Sequence, residues 1–403
     1  MHILLVADGR SAITAGWLRM LNRLDIRVSL VSTFPCDPPK FADLVAVLPV
    51  AFSSMAGGQV RIKGNSAINQ EEINWKHRVI GAFRPTFLTT RAWLAPLSLR
   101  KYQTHFTRIV SDLQPDLVHA LRIPFEGMLA SVTPKDIPFL VSTWGNDLTL
   151  HARTSPLMGS HTRRTLRRAD GLLADANRDM RLAKDWGLKA GTPKRIVPGN
   201  GGLDLKRIKE ITKGKDLPFD LPADRPLVIN PRGFRPGSVH QDTFFRSIPL
   251  VLKKVPQAFF ICTAMQGQSE AEKWVEKLGI QDHVLLLPYL PQEQLWQVYA
   301  QSKVYVSLSS HDGTPNTFLE ALACGCFPVV GDIESLREWL TGGVNGLLVD
   351  PHEHAAAAGA ITQALSDESL LTSARQKNVE MIKQRADVDL VSQQVKEFLI
   401  NFQ

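Results

Sequence analysis

Short apolar runs, many of them β-branched, alternate along the chain with longer amphipathic stretches. The amphipathic stretches have helical periodicity, for example over residues 241–254 and 293–301. This alternation predicts an α/β fold with parallel strands. The predicted strands are residues 3–7, 28–31, 117–120, 139–142, 171–174 and 195–197, followed by 227–230, 259–263, 284–287, 304–307, 327–330 and 346–349. Two successive sets of strands predict two doubly wound sheets, which bind ligands at the carboxyl ends of their strands.

The domain organisation follows from length and from one polar stretch. A chain of 403 residues predicts two domains at roughly 100–200 residues each. Residues 206–225 are polar and punctuated by proline, which predicts a linker. The expected domains are therefore 1–205 and 226–385, with a C-terminal helix at 386–403 that has no strand of its own and is expected to pack across the boundary. Residues 55–96 lack periodicity and are predicted to be an irregular excursion of the first domain.

The amino-acid composition is that of a globular protein. Hydrophobic residues make up 44% of the chain and charged residues 21%, which excludes a disordered or fibrous chain. The apolar start is interpreted as a buried strand, not a signal peptide, and no run approaches the roughly 18 apolar residues of a membrane span. The four cysteines are expected to be buried, reduced thiols. We therefore expect a cytoplasmic protein.

The net charge is distributed unevenly. Residues 1–206 carry 28 Lys and Arg against 16 Asp and Glu, whereas the remainder carries 19 against 23. The first half is therefore expected to meet an anionic partner, and charge alone leaves a lipid surface, a phosphorylated acceptor and nucleic acid open. Two predicted helices hold basic clusters, which are either a lipid-facing surface or a solvated face. The clusters are Arg91, Arg100, Lys101 and Arg108 in one helix, and Arg163, Arg164, Arg167 and Arg168 in the other.

Residues 309–330 carry the densest chemical signal. A strand ends near Ser307, a loop rich in Gly and Pro follows, and a helix is predicted to open at 315–316 with Asn or Thr as its cap. The free N–H groups of such a helix start bind anions. Asp312 lies just before the helix and Glu320 one turn inside it. Because a carboxylate accepts hydrogen bonds from a diol, the run predicts a ligand with both phosphate and hydroxyl groups.

The same run resembles the signature of the family 4 retaining nucleotide-sugar glycosyltransferases (glycosyl transferases group 1). That signature is an acidic residue and Gly, a Glu eight positions after the acid, then Ala-x-Ala-x-Gly and Pro-Val. This chain has Asp312-Gly313, Glu320, residues 321–325 and Pro328-Val329. The resemblance implies the GT-B fold, in which two Rossmann-like domains with doubly wound parallel sheets face each other across a cleft. It also implies that the second domain binds the nucleotide-sugar donor and the first the acceptor.

The resemblance assigns donor-site roles by position. Glu320 takes the ribose hydroxyls. The other implied positions are Asp312, Gly313 and Thr314 for the donor sugar, and Asn316 and Thr317 for the diphosphate. Asp312 departs from the family, which usually has Glu there and so has a longer side chain.

Two arginines after the first strand of the second domain are candidates for the leaving phosphate. Transfer from a nucleotide-sugar develops charge on that phosphate, and a planar guanidinium can bind two of its oxygens. Arg232 matches the family's Arg. The Lys that follows it in the family is absent, and Arg235 is our inferred substitute. With Asp312 and Glu320, these arginines form the predicted catalytic set.

The first domain offers weaker, acceptor-side candidates. They are Asp8, Arg10, His119 and Asp147. For His119, a core or capping role is preferred to an acceptor-side role. For Asp147, a role in the turn has the same weight as an acceptor-side role. Trp144 stands where the family often has a donor-site His, so no such His is expected there.

The resulting prediction is a retaining glycosyltransferase that moves a sugar from a nucleotide-sugar to a hydroxyl acceptor, which is lipid-linked or anionic, in cell-surface polysaccharide or glycolipid assembly. No metal or other cofactor and no nucleic-acid partner is expected. Asp387 and Asp389 are interpreted as an N-cap pair and not as metal ligands. Peripheral contact with the inner face of the membrane is the predicted location if the basic helices meet lipid. The alternatives are a catalytically silent partner subunit with the same fold and an epimerase or phosphorylase acting on related sugars.

Overall fold

A computed structural model describes residues 1–52, 84–214 and 217–402. Within the helix at 84–113, the side chains of residues 84–92, 94, 95 and 97 lie outside this description, as does that of Phe52. The chain divides into two compact units. The first consists of residues 1–174, 179–196 and 395–403, and the second of residues 175–178 and 197–394.

The first unit is built on a seven-stranded parallel sheet. Its strands are β1 (His2–Ala7), β2 (Arg27–Ser32), β3 (Asp43–Val47), β4 (Leu117–Ala120), β5 (Phe139–Thr143), β6 (Gly171–Ala174) and β7 (Lys194–Ile196). Their order in the sheet is β3-β2-β1-β4-β5-β6-β7. The connection therefore reverses direction between β1 and β4, and the loops after these two strands meet at one edge.

Helices connect the strands of the first sheet. They are α1 (Ala12–Arg23), α2 (Arg84–Leu113), the short α3 (Met128–Ala130), α4 (Pro156–Arg168) and α5 (Asn177–Asp185). In α1 the apolar positions Trp17, Leu18 and Leu21 recur at helical spacing and are buried, while Ser11 caps the first turn by accepting a hydrogen bond from the Ile13 N–H. The sheet is buried on both faces, as its nearly continuous apolar strands require.

The second unit has a six-stranded parallel sheet in the order β10-β9-β8-β11-β12-β13. Its strands are β8 (Leu227–Asn230), β9 (Phe259–Cys262), β10 (Val284–Leu286), β11 (Val304–Ser307), β12 (Phe327–Gly331) and β13 (Leu347–Val349). Its helices are α6 (Leu205–Ile211), α7 (Gln241–Leu252), α8 (Ser269–Leu278), α9 (Gln292–Gln301), α10 (Asn316–Ala323), α11 (Glu334–Arg337), α12 (His354–Ser366) and α13 (Glu368–Ala386). The last helix, α14 (Val388–Leu399), begins in this unit, and its residues from Val395 onward belong to the first.

The twelve predicted strands are all present, so the predicted α/β class with two Rossmann-like sheets is confirmed. The structure adds β3, which the sequence did not predict. β3 lies at the sheet edge, and its residues alternate between exposed and half-buried. An edge strand buries little apolar surface, and so its sequence lacks the continuous apolar run of the others.

The prediction of an irregular segment up to residue 96 is wrong for residues 84–96, which form the first part of α2. Pro96 lies inside that helix and interrupts the helical pattern in the sequence. Residues 53–83 lie outside the described part of the chain. The predicted linker begins with α6, whose Asp204 cap accepts a hydrogen bond from the Arg207 N–H (3.0 Å). Its role as a linker and the predicted domain limits stay predictions.

At the start of α14, the backbone N–H of Asp389 donates to the Asp387 carboxylate (2.9 Å). The Asp387 carbonyl accepts from the Val391 N–H (2.9 Å). Asp387 therefore occupies the N-cap position, as the sequence predicts. Among the described residues, no helix has both the length and the apolar character needed to cross a bilayer.

The end of the chain packs against β6 at a position where only glycine fits. A Cβ added to Gly171 would lie 2.4 Å from Phe402 Cζ and 2.9 Å from Leu140 Cδ1. We expect Gly171→Ala to destabilise the protein by roughly 1–3 kcal/mol, because the added methyl group overpacks a closed contact. The midpoint of urea unfolding measures this.

Gly359 provides the matched control for that substitution. It lies in α12, and a Cβ there would meet nothing within 4 Å. Gly359→Ala should therefore keep or raise stability by up to about 1 kcal/mol, since Ala is the better helix former. Equal effects of the two substitutions would contradict the described packing of Phe402.

Candidate active site

The candidate site of the second unit lies where its sheet reverses direction, between β8 and β11. The loop after β8 carries the two predicted arginines, and the loop after β11 leads into α10. Asn230 and Gln241 fix the first loop from both ends. The Asn230 Nδ2 donates to Gln241 Oε1 (2.7 Å), the Asn230 Oδ1 accepts from the Arg232 N–H (3.2 Å), and the Gln241 Nε2 donates to the Gly233 carbonyl (2.6 Å).

Arg232 is a buried cation, with 7% of its side chain exposed. Its Nη2 forms an ion pair with Asp312 Oδ2, and its Nη1 donates to Thr317 Oγ1 (3.4 Å). Burial disfavours the charge, but the attraction of Asp312 outweighs it, so the pKa of Arg232 is raised. The Nε is buried without a hydrogen-bond partner. Arg232 therefore holds a permanent positive charge, and its Nε–H is left without a partner.

Asp312 is held at the end of the second loop. Besides Arg232, its carboxylate accepts from the Gly313 N–H (3.1 Å) and from Ser309 Oγ (3.4 Å). Its own carbonyl accepts from Arg178 Nη1 (2.7 Å) and Ser335 Oγ (2.8 Å). The structure thus brings together the predicted pair Arg232 and Asp312. Because the Asp312 carboxylate is paired with Arg232, the main effect of Asp312 is to orient that guanidinium group.

Of the backbone at Gly313 and Thr314, predicted to meet the donor sugar, the Thr314 N–H is occupied by Asp175. Asp175 belongs to the short stretch 175–178 of the second unit. Its carboxylate accepts from the Thr314 N–H (3.1 Å), and its carbonyl accepts from Thr314 Oγ1 (2.7 Å). A Cβ on Gly313 would lie 2.1 Å from that carboxylate, so only glycine fits there. The backbone at Thr314 thus binds a carboxylate oxygen already.

Helix α10 begins without a side-chain cap, contrary to the predicted Asn or Thr cap. The N-cap residue is Pro315, which has no side-chain donor or acceptor to offer. Asn316 is the first helical residue, and its Oδ1 is buried without a hydrogen-bond partner. Thr317 is bonded to Arg232 and Tyr305. The Phe318 N–H donates to the Pro315 carbonyl (3.0 Å). The N–H groups of Asn316 and Thr317 are therefore the ones open to a ligand at this helix start.

Glu320 lies in the second turn of α10 and is 4% exposed. Its Oε1 accepts a hydrogen bond from Gln292 Nε2 (2.7 Å), at the start of α9. The residue is therefore buried, not a solvated helix position. Its negative charge reaches Tyr289, whose pKa is raised by desolvation and by Glu320.

Tyr289 was not predicted from the sequence. It follows β10, is 64% exposed, and is electrostatically coupled to both Glu320 and Arg235. Arg235 is exposed, and its Nε donates to the Arg232 carbonyl (3.2 Å). Repulsion from Arg232 lowers the pKa of Arg235 to about 10, which leaves it protonated at neutral pH. An exposed aromatic residue in a loop belongs to no periodic pattern in the sequence. Only the structure therefore shows that Tyr289 lies near Glu320 and Arg235.

In the first unit, Asp8 and Arg10 lie after β1 at the point where that sheet reverses. They form a two-pronged ion pair, with Arg10 Nε and Nη2 donating to the Asp8 carboxylate (3.1 and 3.0 Å). Arg10 also stacks on the ring of Phe34 (3.9 Å). Both side chains are partly exposed. These two predicted acceptor-side residues therefore present a single ion pair, held by two hydrogen bonds, at this edge of the sheet.

His119 and Asp147 are both buried. The His119 ring bonds to Ser142 Oγ (2.8 Å), and burial lowers its pKa to about 3. Asp147 is 0% exposed and accepts from Arg122 Nη2 (2.6 Å) and from the N–H groups of Ile123 (3.1 Å) and Trp144 (3.3 Å). These contacts favour a core role for His119 and a positioning role for Asp147 over direct contact with an acceptor.

Glu126 is a further residue that sequence reasoning missed. It is 5% exposed, and its Oε2 has no hydrogen-bond partner. The nearest cation is Arg122, with Nε 3.9 Å from that oxygen. Burial raises the pKa of Glu126 to about 8, despite the opposing charge of Arg122. The preceding residue, Phe125, has a φ of 67°, which is strained for a side chain of this size. No motif in the sequence marks Glu126.

Comparison with known families decides the class of the protein. Residues 221–385 match the family described as "Glycosyl transferases group 1", and residues 68–176 match "Glycosyl transferase 4-like". Both matches are to glycosyltransferase families, so the predicted resemblance to a family 4 glycosyltransferase of the GT-B fold is confirmed over these two segments.

The curated relatives match parts of this sequence. The O-antigen chain mannosyltransferase B of Escherichia coli is 32% identical over 113 residues, which cover 28% of this chain and 27% of the relative. The D-inositol 3-phosphate glycosyltransferase of Paenarthrobacter aurescens is 26% identical over 199 residues, covering 45% and 49%. The matches thus span half or less of these relatives.

Solved structures match the whole chain in fold. Sucrose-phosphate synthase from Thermosynechococcus elongatus has a TM-score of 0.71 at 15% identity, with 100% of this chain and 98% of that chain covered. The Anabaena protein Alr3699/HepE in complex with UDP has a TM-score of 0.68 at 16% identity, with complete coverage of both chains. These likenesses confirm the predicted GT-B fold.

The environment of Glu126 makes stability depend on pH. Because the pKa of Glu126 in the folded protein, about 8, lies above its usual value of 4.5, the native state keeps a proton between these pH values that the unfolded state loses. The native state therefore loses stability as pH rises through this range. Glu126→Gln removes this loss. We expect the variant to gain stability over the wild type by up to a few kcal/mol between pH 5 and pH 8, measured by urea unfolding.

Glu276→Gln is the control for Glu126→Gln, since Glu276 is an exposed residue of α8. Its stability should follow the wild type at each pH. Parallel curves for Glu126→Gln and the wild type would show that Glu126 is ionised in the folded protein throughout this range.

Proposed function

We propose that this protein transfers a sugar from a nucleoside diphosphate sugar to a hydroxyl acceptor and retains the anomeric configuration. The observation that carries the proposal is the buried Arg232, oriented by Asp312 beside the uncapped start of α10, with Glu320 in the second turn of the same helix. These groups match the chemistry of a ligand that has a diphosphate at one end and a ribose diol at the other.

The diphosphate is assigned to Arg232, Arg235 and the first turn of α10. Arg232 has an unsatisfied Nε, and a guanidinium binds phosphate oxygens through several parallel hydrogen bonds. The helix start adds backbone donors and the positive end of its dipole. Arg235 supplies the second charge in place of the family's missing Lys.

The nucleoside is assigned to Glu320 and Tyr289. A buried carboxylate accepts two hydrogen bonds from vicinal hydroxyls, so Glu320 fits the ribose. The exposed ring of Tyr289, within electrostatic reach of Glu320, offers a flat apolar face for a base. The UDP complexes of Alr3699/HepE support a uridine nucleotide as the first donor to test.

The donor sugar is assigned to Asp312 and the backbone at Gly313 and Thr314. Asp175 now occupies the Thr314 N–H, and a sugar hydroxyl can take its place because it offers the same acceptor oxygen. Binding of the sugar at this position therefore requires the Asp175 carboxylate to move away.

The proposed reaction proceeds on one face of the sugar. The bond between the anomeric carbon and the phosphate oxygen breaks, and the acceptor oxygen forms its bond on the same side. The departing phosphate takes the proton of the acceptor hydroxyl, which balances the step without a further base. Arg232 stabilises the charge that develops on the phosphate, and its pairing with Asp312 fixes it there beforehand.

The acceptor and the biological setting are proposed at the level of class. The O-antigen chain and the cellobiosyl-diphosphopolyprenol mannosyltransferases among the relatives support a role in assembling a surface glycan on a lipid-linked acceptor, with peripheral contact at the inner face of the membrane. The acceptor is assigned to the first unit, near Asp8, Arg10 and Glu126. No metal or other cofactor is assigned to the reaction.

Glu320→Gln tests the nucleoside assignment. The variant keeps the size of the side chain and loses the charge-assisted hydrogen bonds to the ribose, which are worth about 1.5–3 kcal/mol. We expect UDP to bind roughly 10–150-fold more weakly, as measured by titration calorimetry.

The control for Glu320→Gln is Glu293→Gln, in the first turn of α9. The Glu293 side chain is 45% exposed and pairs with Arg207, so its variant should bind UDP like the wild type. Unchanged UDP affinity in Glu320→Gln would refute the role of Glu320. Tight UDP binding without turnover of any sugar donor would instead favour the silent subunit.

Product analysis tests the retaining mechanism. With a donor of α configuration, the transferred sugar should carry an α linkage, which NMR reads from the coupling of its anomeric proton. A β linkage would exclude attack from the same face. Consumption of donor without an acceptor, giving an isomerised nucleotide-sugar, would point to the epimerase.

A further inference from the structure

A cavity of about 460 Å³ lies in the first unit and is lined by none of the residues assigned to the proposed donor and acceptor sites. Its lining residues are Ser131, Ser160, Arg163, Arg164, Arg167 and Arg168. Four of the six are arginines, and none carries a negative charge. The wall of the cavity is therefore strongly cationic.

The arginines are arranged on one face of α4. Residues 160, 163, 164, 167 and 168 recur at intervals of three and four, so their side chains project from the same side of the helix. Like charges at these spacings destabilise a helix, and α4 contains no acidic residue to offset them. The helix dipole favours cations only in the last turn, which accounts for Arg167 and Arg168. It does not account for Arg163 and Arg164.

Two of the four guanidinium groups are held in place. Arg168 donates to the carbonyls of Thr133 (3.1 Å), Pro134 (2.7 Å) and Ile137 (3.0 Å) and pairs with Asp170. It is a rigid part of the wall. Arg163 lies over the ring of Trp186 at 4.7 Å, which restricts its rotamers.

The other two, Arg164 and Arg167, are exposed. Within the described ranges, neither has a carboxylate at ion-pair distance. Their donors are thus available beside two oriented guanidinium groups and the hydroxyl of Ser160. Guanidinium groups match the oxygens of phosphate, and several around one cavity bind it better than a single exposed charge.

We propose that this cavity is a binding site for a phosphate-bearing ligand, separate from the proposed donor site. The donor-site residues all belong to the second unit. Within the first unit, α4 ends at Arg168 just before β6 begins, so the arginines of its last turn lie toward the amino ends of the strands. Asp8 and Glu126 follow the carboxyl ends of β1 and β4, at the opposite edge. The cavity therefore serves neither proposed substrate position.

The phosphate has two possible sources, a lipid headgroup at a membrane surface or a soluble phosphorylated molecule. The chemistry of recognition is the same for both, and the experiment separates them. This proposal is independent of sugar transfer, because binding is measured without donor turnover.

The test compares Arg164→Gln/Arg167→Gln with the wild type. The soluble arm titrates glycerol 3-phosphate by calorimetry in the presence of excess UDP, which fills the proposed donor site. The membrane arm measures co-sedimentation with phosphatidylcholine vesicles that contain phosphatidylglycerol. A third vesicle preparation replaces the phosphatidylglycerol with oleate at equal surface charge, so that it adds carboxylates and no anionic phosphate.

The matched control is Lys253→Gln/Lys254→Gln, which removes the same charge from an exposed site after α7 in the second unit. Both residues are remote in sequence from the cavity, and neither is assigned to the donor site. Thermal unfolding of all variants confirms that they fold.

We expect binding in at least one of the two phosphate arms. The double arginine variant should weaken glycerol 3-phosphate binding at least tenfold, or vesicle partitioning roughly thirtyfold, given about 1 kcal/mol for each basic residue near an anionic surface. The lysine control should stay within about twofold of the wild type. Binding of glycerol 3-phosphate alone identifies a soluble ligand, and binding of phosphatidylglycerol vesicles alone identifies a lipid headgroup.

Three results would overturn the proposal. One is absence of binding in both phosphate arms. Another is equal binding by the wild type and the arginine variant. The last is equal binding to oleate and phosphatidylglycerol vesicles without binding of glycerol 3-phosphate. That result would mean that the arginines attract any anionic surface and do not form a phosphate site.

Discussion

The pairing of a buried arginine with a loop carboxylate organises the candidate site of the second unit. Asp312 offsets the cost of burying the Arg232 charge at 7% side-chain exposure, and Asp312 in turn is held by Gly313, Ser309 and the contacts of its own carbonyl. The parallel sheet brings the two loops together, because both follow neighbouring strands at the point where strand order reverses. The cation is thereby oriented before any ligand arrives, which is what stabilisation of a developing phosphate charge requires.

The sheet of the first unit also reverses strand order, but the residues at its reversal point are different. Its reversal point lies between β1 and β4, and the residues there are a locked Asp8–Arg10 pair and a buried Glu126 with an unsatisfied oxygen. Asp147 joins the loops after β4 and β5 through three hydrogen bonds. The second unit thus presents fixed positive charge, and the first presents carboxyl groups that suit a hydroxyl-bearing ligand.

Much of this architecture could be predicted from the sequence, because buried parallel strands and a compact motif leave strong local patterns. Apolar runs marked twelve strands, and the run 309–330 with its family resemblance put Asp312 and Glu320 in one predicted site. What the sequence could not show depends on contacts between distant residues or on surfaces without periodicity. Asp175 reaches Thr314 across 139 positions of sequence, Tyr289 is an exposed loop residue, and β3 buries little apolar surface. Pro96 concealed a helix from sequence analysis, because proline is unfavourable in a helix interior. The rest of α2 outweighs this local cost.

A crystal structure of the protein with a bound nucleoside diphosphate sugar would test the central claim most directly. The account predicts that the phosphate next to the sugar lies within hydrogen-bond distance of the Arg232 guanidinium and of the first backbone N–H groups of α10, with both ribose hydroxyls at Glu320. A nucleotide whose diphosphate lies away from Arg232, or whose ribose does not contact Glu320, would contradict it.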